Sequence, residues 1–292
     1  MKKLISFLLA LCLAVACFPG AFAGISNSRV IIGADLTEEQ IDEVYALFNI
    51  QKGMVPQLIM TNEVERQYLE GTVDASAIGT RSVSCVYIEL LDPGSGLTIE
   101  THNISLFTPE MYKSSLETAG ITDARIVVAA PFEVSGTAAL AGVYWAYESM
   151  AGEKLGDQQK QASAQELTVT GELAQDVGSD AAQELIGDIK DVIITAGETM
   201  TEETVSREIS SIASQYGISL SEDQVDKILS MVDSVKKIDR EELLETVNGV
   251  KDTIEKVSEY KDKASNLIQK IRNYIEKIKN FVQKIKDFLQ KE

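Results

Sequence analysis

The stretch ARIVVAAPFEVSGTAALAGVYWAYESMAG, residues 124–152, decides the fold. Its first eight residues are apolar apart from Arg125, include β-branched residues and end at a proline. Such a run predicts a strand buried on both faces. The remainder opens on Ser135-Gly-Thr, carries apolar residues at helical spacing and stops at Gly152. That pattern predicts a helix with Ser135 as its cap. A buried strand feeding a helix belongs to a sheet with helices packed on it.

Upstream, Arg29-Val-Ile-Ile-Gly predicts a short strand. Leu36–Phe48 predicts a helix in which Thr37 and Gln40 form a capping box. Another helix starts at Thr61 or Asn62 and runs to Leu69. Ile78–Leu91 predicts a long strand, Asp92-Pro-Gly-Ser-Gly a turn and Leu97–Phe107 a second strand, paired with the first as a hairpin. A further helix takes Thr108 as cap, Pro109 at its first position and Gly120 as its stop. The expected order is β-α-α-β-β-α-β-α.

Downstream of Gly152 the strand signals cease. Helical patterns follow, with breaks near Thr170-Gly171, Gly178, Gly197–Thr201, Gly217–Ser221 and Ile238-Asp239. Ser219–Val232 echoes Leu36–Phe48 in its Glu-acid-Gln spacing, but it lacks the ligand pattern of a calcium loop. Both read as amphipathic helices opened by capping boxes. The last heptads, starting at Leu267, Tyr274, Phe281 and Phe288, place an apolar arc of about 100° on one helix face. Lys270, Lys277, Lys284 and Lys291 flank one edge, and Arg272, Lys279 and Lys286 the other. A helix unbroken from Asp239 would be about 80 Å long.

The first 23 residues read as a signal peptide: Lys2 and Lys3, an apolar run, then Ala21-Phe-Ala before Gly24. Cys12 and Cys17 lie in that segment, which leaves Cys85 alone, without an intramolecular disulfide or a cysteine metal cluster. Formal charge is −18 but uneven. Eleven basic and seven acidic residues give Lys251–Glu292 a net +4; the signal segment adds +2, and the remainder carries −24. So acidic a body argues against nucleic acid as a partner.

VIIGADLTEEQ, TNEVERQYLEG, IGTRSVSCVYIELL, GSGLTIETHNI, ARIVVAAPFEVSGTAAL and ELTVTGELAQDVG together resemble the YpuA-like family, domain of unknown function number 1002. The likeness covers Val30 to Asp239, and THNI with PFEVSGTAAL is its most specific part. The resemblance implies export to the cell envelope of a Gram-positive bacterium. It implies no activity and supplies no functional residues.

Chemistry is sparsely marked. His102 is the one histidine, so a Cys-His site would have to pair it with Cys85 across the expected hairpin. No motif surrounds either residue. Ser135, Gly136 and Thr137 could hold an anion at a helix start, or simply cap the helix against the sheet. Neither cofactor nor metal is implied. The terminal helix offers Lys270, Arg272, Tyr274, Lys277, Lys279, Phe281, Lys284, Lys286 and Phe288 to a partner. That partner is an anionic membrane surface, a cell-wall polymer or acidic helices of this or another protein.

The expected fold class is α+β: a small N-terminal sheet with packed helices, then an all-helical region ending in a long amphipathic helix. Residues 1–23 are the signal peptide, 24–152 the α/β domain, 153–238 an acidic helical region and 239–292 the basic helix. The functional expectation is an exported envelope protein with a binding or scaffolding role. The alternative is an envelope hydrolase or thiol enzyme using Cys85 and His102.

Overall fold

A computed structural model describes residues 27–196 and 200–239. The signal segment and the terminal basic helix lie outside the described residues. Strands β1 (Ser28–Gly33), β2 (Gln57–Met60), β3 (Cys85–Leu90), β4 (Leu97–Ile104) and β5 (Ala124–Val134) form one sheet in the order β2-β1-β3-β5-β4. Helices α1 (Glu38–Phe48), α2 (Asn62–Leu69), α3 (Ala75–Ile78), α4 (Pro109–Thr118) and α5 (Thr137–Ala151) interleave with the strands. Helices α6 (Asp157–Val177), α7 (Ser179–Ala196), α8 (Glu202–Gln215) and α9 (Glu222–Lys236) follow. The fold is α+β, a helix-packed sheet followed by a helical region, as the residue patterns imply.

Cap chemistry sets the helix starts. Thr37 and Gln40 close a capping box, and so do Ser221 and Gln224 at α9. Thr108 accepts from the Met111 N–H with Pro109 in the first turn, and Thr61 accepts from Val64. Each such cap satisfies an orphan helix donor and contributes about 1 kcal/mol.

Strand alternation splits the core in two. Val30, Ile32, Cys85, Tyr87, Val127 and Ala129 face α1, with Val44, Tyr45 and Phe48 above them. Ile31, Val86, Ile88, Ile126 and Val128 face the other side, toward Met111, Leu116, Leu140 and Tyr144 of α4 and α5. A second core closes α6–α9 through Leu173, Leu185, Ile189, Ile209, Ile228 and Met231, all at helical spacing.

The hairpin expectation is corrected. β5 lies between β3 and β4, antiparallel to the first and parallel to the second. The reason is burial. β5 holds Ile126, Val127, Val128, Ala129 and Ala130 at 0–1 % exposure and needs a strand on each side. β4, with Thr98, Glu100 and Asn103 exposed, suits an edge. The β3–β4 loop spans the start of β5, where Asp123 accepts from the Gly96 N–H at 2.8 Å and its carbonyl from Leu91 N–H at 3.0 Å.

Other boundaries and elements also differ. The strand expected over Ile78–Leu91 shortens to Cys85–Leu90, and its first residue belongs to α3. β2 and α3 are too short to leave a periodic signal. The α5 cap is Gly136, in the left-handed region at φ 97°, while Ser135 is exposed and makes no cap bond. Tyr112 donates to the Gly136 carbonyl at 2.6 Å and occupies the space a Cβ would need. Finally, α6 runs through Thr170-Gly171 without a break. There the helix presses on Phe107, whose ring would lie 2.4 Å from a Cβ at position 171.

Two buried polar junctions join α6 to the sheet layer. Glu166, 1 % exposed, accepts from Ser114 and Thr118 of α4 at 2.5 Å each and from Lys190 of α7 at 2.7 Å. Lys190 also reaches the Ser114 hydroxyl at 2.7 Å. Beside this, Tyr144 of α5 donates to Ser163 at 2.6 Å, and Ser163 contacts Ser115 at 2.8 Å. The second junction is Glu148, which accepts from Tyr68 at 2.9 Å, Lys160 at 3.3 Å and the Leu155 N–H at 3.1 Å.

Gly171→Ala measures the packing of α6 on the sheet layer. Helix propensity alone would stabilise by about 1 kcal/mol. The Phe107 clash reverses the sign, so urea denaturation shows a loss of about 1–3 kcal/mol. A gain would mean that Phe107 gives way freely.

Candidate functional site

The strand directions gather the chemistry at one edge. β1, β2, β4 and β5 are mutually parallel, and only β3 runs against them. Their carboxyl ends and the start of β3 therefore share one border of the sheet. Ligands of open α/β sheets bind outside such ends. Here the border carries Gly33–Thr37, Met60–Glu65, Ser82–Cys85, His102–Ser105 and Ala130–Thr137 in adjoining positions.

One half of the border is polar and closed. Asp35 accepts from the Ser82 N–H at 2.7 Å, and its own N–H donates to the Ser82 carbonyl at 3.1 Å. Arg66 donates to the Gly79 carbonyl at 2.7 Å and to Asn62 at 3.1 Å, locking the α3 exit onto α2. Inside this frame Glu65 is fully buried, and neither carboxylate oxygen has a hydrogen-bond partner among the described residues. Burial pushes its carboxyl up to about 7, against the pull of Asn62 and Arg66 and with a small push from Asp35.

The other half is built on a bulge. His102 pairs with Ala129, but Ile104 pairs with Val134, so β5 bows outward over Ala130–Glu133. Asn103 takes φ 59° at this point and donates to the Ala130 carbonyl at 2.7 Å. Phe132, on the bow, stays 40 % exposed. Ser105 donates to the Val134 carbonyl through both its N–H and its hydroxyl.

Ser135, Gly136 and Thr137 do sit at this border, at the start of α5. Of the three, Ser135 alone is exposed. The Thr137 hydroxyl is buried without a partner, and Tyr112 covers Gly136. The geometry is that of a helix start packed against the sheet, without a side-chain cap bond.

Cys85 and His102 are not brought together. Both pair with Ala129, from opposite sides of β5, so two strand spacings of about 4.8 Å separate them. Cys85 is fully buried, and burial pushes its thiol up to about 12 despite the Gly33 N–H, which points at its sulfur from 3.4 Å. A thiol so placed stays protonated near neutral pH. The residues Lys270 through Phe288 singled out in the terminal helix lie outside the described residues. No group of three or more His, Cys, Asp or Glu side chains is arranged to hold a metal ion among the described residues.

Sequence reasoning missed Glu65. Its signal was present: Glu65 lies four residues before Leu69 on the same helix face, an acid on an apolar stripe. The pairing of Asp35 with Ser82 left no local signal at all.

The model of the family described as "Protein of unknown function (DUF1002)" matches residues 32–257. The chain belongs to the DUF1002 family. Among curated proteins it is similar to "Uncharacterized protein YpuA" of Bacillus subtilis (strain 168), at 36 % identity over 219 residues covering 75 % of each chain. No solved structure matches the chain. The segments that carry the DUF1002 likeness, from VIIGADLTEEQ through THNI to PFEVSGTAAL, are largely those that meet at the carboxyl border.

Glu65 gives the protein a pH signature. Its folded pKa stands above the unfolded value of 4.5, so its neutral form stabilises the fold fully at low pH. That contribution falls as pH rises from about 4.5 and is lost above about 7, a change on the order of 3 kcal/mol. Glu65→Gln removes this slope in urea unfolding measured from pH 5 to 8. A slope equal in both proteins would assign the effect elsewhere.

Proposed function

We propose that this chain is an exported, non-enzymatic binding protein of the cell envelope, attached to an anionic surface by its basic C-terminal segment. The observation that carries the reading is the division of charge. Lys251–Glu292 carries a net +4 beside an apolar heptad stripe, while the remainder outside the signal segment carries −24. Such a segment suits an interface where lysine heads meet anionic groups and Ile, Phe and Leu enter the apolar boundary. The acidic body keeps the rest of the protein off that surface. Ala21-Phe-Ala after the N-terminal apolar run supports export. Among the described residues no helix is long and apolar enough to cross a membrane. Attachment by an interfacial segment requires no such helix.

The test is co-sedimentation with vesicles of anionic or neutral lipid, using residues 24–292 and a truncation ending at Gly249. The full chain pellets with anionic vesicles at low salt, releases as salt rises and fails to pellet once truncated. Absence of binding by both chains would refute attachment to a membrane and leave the stripe as a surface for acidic helices. Equal binding by both would move the attachment site into the body.

A further inference from the structure

Between the end of α3 and the start of β3, residues 79–84 cross the carboxyl border as a strap with no helix or strand of its own. Side chains from two neighbouring elements hold it. Asn62 and Arg66 of α2 donate to the Gly79 carbonyl at 3.4 and 2.7 Å. Asp35, just past β1, accepts from the Ser82 N–H at 2.7 Å and donates its own N–H to the Ser82 carbonyl at 3.1 Å. Arg81 adds a long bond to the Asp35 carbonyl at 3.3 Å. The strap lies so close on the end of β1 that the Ser82 carbonyl leaves no room for a Cβ at Gly33.

Glu65 sits among the same groups. It is fully buried, and both carboxylate oxygens lack a hydrogen-bond partner. The neighbours that act on it are Asn62, Arg66 and Asp35, and each of them is engaged in holding the strap. The other helices packed on α2 bring it no free charge. α3 contains no ionisable residue. α5 has none before Glu148, which takes up Tyr68 and Lys160. Lys160 of α6 is shared between Glu148 and Asp157. A neutral Glu65 is compatible with this arrangement. An ionised one is not, because a buried carboxylate without donors is strongly disfavoured. Asn62 and Arg66 can turn to it only by leaving Gly79.

We infer that residues 79–84 form a pH-gated strap, shut while Glu65 is neutral and opened when Glu65 ionises and draws Asn62, Arg66 and water away from Gly79. Its sign follows from linkage. Burial pushes the Glu65 carboxyl up to about 7 in the closed state, and opening returns it toward 4.5. The closed strap is therefore favoured in full below about 4.5, loses about tenfold of that advantage per pH unit, and has lost all of it above about 7. Opening uncovers the end of β1, in the interior of the carboxyl border. No residue of the basic C-terminal segment takes part, so this gate and the surface attachment stand or fall separately.

Hydrogen exchange of the full chain from pH 5 to 8, read by NMR as protection factors of single amides, tests this. The Gly79 and Ser82 amides are both hydrogen-bonded, and they exchange through an opening smaller than global unfolding. Their protection therefore stays below that of β5 throughout. It falls about tenfold per pH unit between 5 and 7 and levels off above 7. In Glu65→Gln it no longer depends on pH. The carboxyl carbon of Glu65, followed in the unchanged protein, titrates near the pH at which the protection levels off. Strap protection equal to that of β5, a flat profile between pH 5 and 7, a slope retained in Glu65→Gln, or a Glu65 that titrates like an exposed carboxylate would overturn the inference.

Discussion

The structure depends on one buried carboxylate. Glu166 lies in the middle of the 21-residue helix α6, where the helical layer rests on the sheet layer. Its charge is taken up by Lys190 and by the hydroxyls of Ser114 and Thr118. Three helices from separate parts of the chain therefore have to meet at that point with correct geometry. Removing one partner of such a pair strands a buried charge and costs about 3–5 kcal/mol, whereas apolar residues could fill the same space at little loss. A purely apolar seam would let α6 slide or rotate on the sheet. The charged joint fixes its register, and with it the place where Gly171 meets Phe107 and where α9 meets the α2–α3 loop.

That register sets an opening of about 200 Å³ on the far side of α6, between it, α9 and the α2–α3 loop. Gln165, one residue before Glu166, lines this opening, while Glu166 lies in the joint. Thr168, Val169 and Glu172 follow on the side of the opening. The same helix thus holds the two layers together with one face and lines a polar opening with another. The carboxyl border of the sheet is a different kind of place. Its polar atoms are mostly spent on one another, as Asp35 is on Ser82 and Arg66 on Gly79. Glu65 is sealed behind them, its carboxyl pushed up by burial.

Local chemistry made much of this fold readable. Thr37 with Gln40, Ser221 with Gln224, and Thr108 before Pro109 mark helix starts because a cap is a contact between residues three apart. The apolar run of β5 announced a buried strand for the same reason. Strand order was not readable, because nothing within Cys85–Ile104 reveals that residues 124–134 will insert between its two strands. Gly171 looked like a helix stop when its absent side chain instead admits Phe107, 64 residues earlier in the chain. Of the border, the sequence singled out Ser135–Thr137 at a helix start and His102 on a strand, but Glu65 and the Asp35–Ser82 clasp were not found. Glu166 and Lys190 join residues 24 apart, and Ser114 and Lys190 residues 76 apart. Such contacts leave no periodic trace. The faint clue was an acid four residues after Ala162 and seven before Leu173, on an otherwise buried stripe of α6.

The central claim is that the Glu166–Lys190 joint makes the sheet layer and the helical layer one cooperative unit. Native-state hydrogen exchange of the full chain and of Lys190→Met measures this most directly. In the unchanged protein, the slowest amides of β5 and of α9 exchange with the same opening free energy. In Lys190→Met, those of α9 open at least 2 kcal/mol more readily than those of β5, within the cost expected for a stranded buried charge. If α9 already opens separately in the unchanged protein, or if the substitution lowers both equally, the joint is not what couples the layers.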